Sequence, residues 1–409
     1  MLEQVFRSHE RIQELRGAPQ ASLLEGFAEE LCQAGYAGTT ARAHIRGAEH
    51  LLHWTAREGV LISDLTKSLI ERFRHHLKLC QCPGFGPTRR LYSLRGARLF
   101  LKYLRSTGSI SVEASQGPPL LMGFRQWMSQ QRGSCDSTLS VYGFCIQALL
   151  RRLGDDPRAF DAQSLRQFVL EAGRQSGRAR AKMYTTALRM FLRFLISEGR
   201  CAPSLETAIP VLAHWRLASL PRYLGAEDVE RIIASCDSST PVGKRDRAIL
   251  LLLARLALRA GDIVQLRLRD IDWEDATVRV SGKGRRETRL PLTQEVGDAI
   301  VGYLKARPQS KADALFLRSR APYCAPTSGG VSVIVAQAMR RAGITRTTRG
   351  AAHVLRHSLA TALLREGASL QEIATVLRHR SIETTEIYAK VDVAALEEIA
   401  QRWPEVQPC

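Results

Sequence analysis

The chain has 409 residues, and its 59 Lys plus Arg against 40 Asp plus Glu give a net charge of +19. That length predicts about two to four domains, and a positive surplus that no fold requires points to a polyanion, nucleic acid first and an anionic membrane surface second. A membrane-spanning helix is set aside, because the longest apolar run, residues 248–254, is cut by Arg255 and falls far short of a span.

The N-terminal segment "MLEQVFRSHERIQ" is charged from the start and shows no secretory signal. Nine cysteines, an odd number without a framework spacing, fit free thiols in a reducing cytoplasm. Cys80 and Cys82, just after His75 and His76, form the one metal-like cluster. A single C-x-C lacks the second ligand pair of a structural zinc site, so the stretch reads as a loop and no metal is assigned.

The first half of the chain repeats. "LLEGF" at 23–27 recurs as "LLMGF" at 120–124, and "FLKYLRSTG" at 100–108 recurs as "FLRFLISEG" at 191–199. Between them, Asp64, Ile70 and Phe73 answer Asp161, Leu165 and Phe168. Apolar residues recur at i, i+3 and i+4 in both copies, which predicts two helical bundles. Thr39 and Thr40 are predicted to cap the helix carrying Leu51 and Leu52, and Gly108 and Gly199 to end the last helix of each copy. The Pro-containing stretch at 201–224 reads as a linker. Beyond it come a helix in "AEDVERIIASC", a long helix from Lys244 to about Ala260, and a β-hairpin in "TVRVSGKGRRETRLPL". Helices resume at Ser328 and continue to a last one around 393–402. The predicted organisation is an extra N-terminal helical domain at 1–116, a candidate duplicate of the helical domain at 117–200. A linker at 201–219 then leads to a mainly α domain with a small antiparallel sheet at 220–409.

Within that last domain His353, Arg356 and His357 stand at i, i+3 and i+4, so one helix face presents all three. H-x-x-x-H invites zinc, but Val354 occupies the place of the glutamate base of H-E-x-x-H, and Arg356 would sit beside the dication. An anion fits better. A guanidinium matches two phosphate oxygens, and imidazole exchanges a proton near pH 7. A phosphodiester transition state needs a second arginine; Arg259 is the best placed, with Asp262 three residues on to orient its guanidinium. Lys283 in the hairpin turn and Tyr388 would each be ordinary alone. Their joint occurrence is what carries the chemistry.

Taken together these residues resemble the tyrosine recombinase (phage integrase) family. The resemblance rests on "ALRAGDIVQLRLRDID", then "VSGKGRRETRLPL", then "HVLRHSLATALLREGASLQEIATVLRHRSIETTEIY", in that order, and covers about residues 220–393. It implies a mainly α fold: a tyrosine-recombinase catalytic domain with a small antiparallel sheet, preceded by two helical, SAM-like domains of the core-binding type. By resemblance Arg259 and Arg356 clamp the phosphate, Lys283 and His353 transfer protons, His379 lies near the phosphate, and Tyr388 is the nucleophile. Asp262 matches an acidic residue that many members carry as Glu. Two departures stand out: Ala257 replaces the glycine usual two residues before the first arginine, and "LGH" reads "LRH", with Arg378 before His379.

The implied reaction is attack of Tyr388 on a DNA phosphate to give a 3′-phosphotyrosine, reversed by another 5′ hydroxyl, with no ATP, metal or other cofactor. A phenol of pKa about 10 is a weak nucleophile at pH 7, and two guanidiniums are expected to lower that value. The implied partners are double-stranded recombination sites and a homo- or hetero-tetrameric synapse of related recombinases, with no membrane. The helix around 393–402 is expected to dock on a neighbouring protomer. Integration or transposition of a mobile element is favoured over resolution of DNA multimers. A catalytically silent DNA-binding protein and a type IB topoisomerase are the rival readings.

Overall fold

A computed structural model describes residues 1–18, 20–85, 90–110, 118–212, 220–281, 287–344, 350–391, 396–397 and 400. The chain divides into two compact units, Met1–Ser111 together with Leu217–Cys409, and Val112–Arg216.

The first unit opens with α1 (Leu2–Val5), α2 (His9–Gly17), α3 (Ala21–Gln33), α4 (Gly38–Arg57), α5 (Lys67–Leu79) and α6 (Arg90–Ser106). Leu24, Phe27, Ile45, Leu51, Phe73 and Phe100 form its core, all nearly free of solvent exposure. The second unit holds α7 (Pro119–Arg132), α8 (Asp136–Leu153), α9 (Ala162–Ser176), α10 (Arg178–Ser197) and the single turn α11 (Ser204–Thr207). From α3 to α6 and from α7 to α10 the order is the same: two helices, a 3₁₀ turn (Ile62–Asp64 or Pro157–Ala159), and two more helices.

In the middle of the two bundles the helix caps correspond at Thr66 and Asp161. Asp64 lies in the 3₁₀ turn, and it is Thr66 that caps α5, accepting from the Leu69 N–H, as Asp161 caps α9 by accepting from Gln163 and Ser164. Gly26 and Gly123 occupy matching places, and a Cβ on either would run into the aromatic ring of Tyr103 or Phe194 from the last helix of its own bundle. Gly108 and Gly199 end those helices at φ +71° and +67°. Thr39 and Thr40, in contrast, are not caps: α4 starts at Gly38 after Ala37, which places both inside its first turn. The stretch read as a linker begins as part of the second bundle. Ile209 is buried in its core, and the Arg189 guanidinium donates to the carbonyls of Ile209 and Pro210.

The rest of the first unit contains α12 (Ala226–Ala234), α13 (Pro241–Arg255) and α14 (Ala260–Gln265), then strands β1 (Ile271–Asp272), β2 (Thr277–Ser281) and β3 (Glu287–Pro291). After the sheet come α15 (Gln294–Leu304), α16 (Ser328–Arg341), α17 (Ala351–Arg365) and α18 (Leu370–Val376), and finally 3₁₀ turns at Ile382–Thr384 and Glu386–Val391. Residues 248–253 of α13 are fully buried, so this stretch, beyond the charged residues 244–247, is apolar all round and forms the centre of the domain. It stops at Arg255, earlier than the expected Ala260, and the chain breaks direction before α14. The hairpin pairs Val278 with Leu290 and Val280 with Thr288, and β1 adds a third antiparallel strand that the sequence did not announce. Val278 and Val280 point into the core, while Arg279 between them reaches Asp270 at 2.9 Å. The helix expected around 393–402 lies almost wholly outside the described residues.

Candidate active site

Three segments build the site: the turn between α13 and α14, the N-terminal part of α17, and the chain from the end of α18 to Tyr388. The first delivers Arg259 as the residue preceding α14, in extended backbone at φ −82° and ψ 155°. The Asp262 carboxylate accepts the Arg259 backbone N–H at 2.9 Å, which fixes where the side chain leaves the helix. Asp262 does not, however, hold the Arg259 guanidinium as expected. Its carboxylate is taken by Arg378, at 2.6 Å, with both side chains almost fully buried. The Arg259 guanidinium donates instead to the carbonyls of Leu377 and Arg378, each at 3.4 Å.

On α17, Arg356 is buried and bridges the other two segments, donating to the Ala257 carbonyl through Nη1 and to the Leu377 carbonyl through Nη2. Arg259 and Arg356 thus share one carbonyl oxygen. Burial, then the charges of Arg259 and Arg378, pull the Arg356 pKa down to about 9, and burial also lowers that of Arg259. Among the described contacts of this cluster, the Arg259, Arg356 and Arg378 guanidiniums meet the single Asp262 carboxylate, which leaves them in mutual repulsion. An entering anion would relieve that repulsion.

The two departures from the family pattern have a common backbone cause. Ala257 and Arg378 both adopt positive φ, +49° and +53°, where glycine is comfortable and a side chain costs about 1–2 kcal/mol. At Arg378 that cost is offset by the buried pair with Asp262. Arg378→Gly should therefore destabilise the protein by roughly 2–4 kcal/mol in spite of the favoured conformation, because it strands a buried carboxylate. Adding Asp262→Asn should recover part of the loss, both read as thermal midpoints. A stabilised Arg378→Gly protein would contradict this weighting.

Tyr388 is carried by the last 3₁₀ turn and is 1 % exposed. Its hydroxyl lies 2.7 Å from Nδ1 of His357. Burial pushes its pKa up to about 12, and Arg356 offsets this only in part. The expected lowering by the arginines is thus outweighed by desolvation, and in this state the group is a neutral phenol. His357 was noted on the sequence for its position on the helix face but given no task; the signal was its place one residue after Arg356. Thr385 was missed altogether. It is buried and hydrogen-bonded to His379 Nδ1 at 2.8 Å, which orients that ring. His353 is at the open end of the cluster and reaches solvent; the protein crowding its ring, then Arg356 and Arg259, lower its pKa. Lys283 lies outside the described residues.

Burial leads the causes that bring His357 and His379 down to about 4, so both rings are neutral near pH 7. A histidine depressed in the folded state binds its proton more readily once unfolded. Its contribution to stability is complete above pH 6.5 and is lost as pH falls toward 4. The thermal midpoint should be lower at pH 5 than at pH 7.5; an unchanged midpoint would contradict the buried neutral rings.

A separate cleft of about 280 Å³ is lined by Tyr223, Val229, Arg255, Leu355 and Arg365 on a different face of α17. It contains none of the residues expected for catalysis.

Comparison with known proteins places the chain in one family. Residues 222–394 match the Phage integrase family. An integrase/recombinase of Sinorhizobium fredii, y4rA, is 37% identical over 401 residues, covering 94% of this chain and 95% of that protein. Tyrosine recombinase XerD of Listeria monocytogenes is 27% identical over 298 residues, 69% of this chain and 98% of that one. Among solved structures, the XerH site-specific recombinase bound to a palindromic difH substrate aligns over 82% of this chain and 95% of its own, with a TM-score of 0.55 at 21% identity. A lambda integrase dimer bound to a core site aligns over 70% and 98%, with a TM-score of 0.51 at 20% identity. The chain belongs to the phage integrase family, the tyrosine recombinases. Its activity is accordingly site-specific DNA recombination.

Proposed function

We propose that this recombinase cleaves and rejoins double-stranded DNA through a 3′-phosphotyrosine at Tyr388, in the service of integrating or transposing a mobile element. The observation that carries the chemistry is the convergence of Arg259 and Arg356 on the Leu377 carbonyl, at the site where the Tyr388 hydroxyl is held against His357. The guanidiniums take the two non-bridging oxygens of the scissile phosphate and stabilise the charge that grows on them. Tyr388 Oη forms the new bond to phosphorus as the bond to the 5′ oxygen breaks. The phenol proton passes to His357 Nδ1, a neutral base already within hydrogen-bond reach, and Lys283 protonates the leaving 5′ oxygen. His353 acts with Lys283 in proton transfer, and His379 lies near the phosphate. The bond energy is kept in the phosphotyrosine, so a 5′ hydroxyl from another strand reverses the step without ATP, metal or water.

The two helical bundles serve in this reading as DNA- or partner-binding modules, the second in the core-binding role and the first as an addition to it. Strand exchange takes place in a tetrameric synapse in the cytoplasm. Among the described residues no helix is long and apolar enough to cross a membrane. Mobile-element work is preferred to multimer resolution because of the added N-terminal bundle. The test is a two-plasmid assay in which cells make the protein and both plasmids carry the DNA flanking its gene. Recombinant junctions inside that flanking DNA are expected. Their absence, with recombination instead between chromosome-dimer sites, would favour resolution.

A further inference from the structure

The N-terminal bundle contains a second cluster of reactive side chains that recombination does not use. His50 comes from α4, His76 from the last turn of α5, and Cys80 and Cys82 from the chain that leaves α5. One ligand atom from each lies within 4.8 Å of all the others. Nε2 of His50 is 3.3 Å from the Cys80 sulfur, and Nε2 of His76 is 3.5 Å from the Cys82 sulfur. Tetrahedral zinc with sulfur at about 2.3 Å and nitrogen at about 2.0 Å puts adjacent sulfur and nitrogen ligands about 3.5 Å apart. The contacts are already at that spacing. The sequence offered only the C-x-C and its neighbouring histidines; the fold brings in His50 from 26 residues before His76 and uses His76 rather than His75.

We propose that these four residues bind a zinc ion that fastens α4, α5 and the following loop together. The chemistry of the donors fits. The Cys82 backbone N–H points at the Cys80 sulfur at 3.3 Å, and the Arg57 guanidinium lies 3.7 Å from the Cys82 sulfur. Outer contacts of this kind orient and tune metal ligands. Binding releases the two thiol protons to solvent and leaves a site with two sulfur and two nitrogen ligands. Four protein ligands leave no open position, so the role is structural rather than catalytic. His50 also stacks on Phe85 at 4.3 Å, which closes one side of the site. Without metal, the same cluster is only a set of thiols and imidazoles hydrogen-bonded to one another.

The test uses the full-length protein purified without chelator. Elemental analysis should find about one zinc per chain. The paired substitution Cys80→Ser/Cys82→Ser should bring this to background, and Cys135→Ser, at an exposed cysteine elsewhere, should not. If the paired variant fails to fold, cobalt exchanged into the unsubstituted protein decides. Intense visible bands of tetrahedral cobalt with thiolate charge transfer in the near ultraviolet are expected. Zinc retained in the paired variant, or a protein without stoichiometric zinc whose cobalt form lacks thiolate bands, would overturn the site.

Discussion

Tyr388→Phe is expected to reduce covalent capture of DNA to background while leaving DNA affinity within about twofold. The substitution removes one oxygen, the atom proposed to bond to phosphorus, and keeps the ring that packs with Ala257, Leu364 and Leu377. Its structural cost is small. His357 Nδ1 loses its 2.7 Å partner, worth about 1–3 kcal/mol, and one hydroxyl no longer has to be buried. Affinity comes from phosphate contacts spread over the positive surface, which the change does not touch. A gel-shift titration beside a cleavage assay separates the two quantities, and loss of binding in step with cleavage would mean that the ring is structural.

Arg356→Ala should slow strand cleavage by about 10³-fold or more, the range for removing a preorganised cation from a phosphoryl-transfer site. Two effects add. The phosphate loses one arm of the proposed clamp, and the Ala257 and Leu377 carbonyls lose one of the donors that tie the α13–α14 turn to the end of α18. Arg356→Lys should not rescue it, since one ammonium cannot span both carbonyls and a phosphate. Folding should suffer less than catalysis, because removing the charge relieves repulsion with Arg259 and Arg378. Single-turnover cleavage rates measured beside thermal midpoints test this; a rate loss under tenfold would remove Arg356 from the clamp.

What the sequence showed, and what it hid, divides by distance along the chain. His353, Arg356 and His357 were legible because a single helix fixes their common face. The hairpin was legible because its alternation has period two. The partner of Asp262 was not, since Arg378 is 116 residues away in the chain and only the folded structure brings the turn after α18 to α14. The pKa of Tyr388 was read in the wrong direction for a similar reason: charge can be counted in a sequence, whereas burial at 1 % exposure is a property of the packed turn. The backbone requirement at Ala257 and Arg378 was visible only as two missing glycines, and the positive φ at both explains the pattern.

Peptide mapping of a trapped protein–DNA adduct reveals whether Tyr388 forms the covalent bond to DNA. A duplex nicked just beyond the scissile phosphate lets the short 5′-hydroxyl fragment diffuse away, so that the cleaved state accumulates. Trypsin should then leave the nucleotide on the peptide of residues 381–390, "SIETTEIYAK", in which Tyr388 is the one tyrosine. Nucleotide found on that tyrosine is the predicted result. An adduct on any other peptide, or cleaved DNA with free phosphate ends and no adduct, would contradict it.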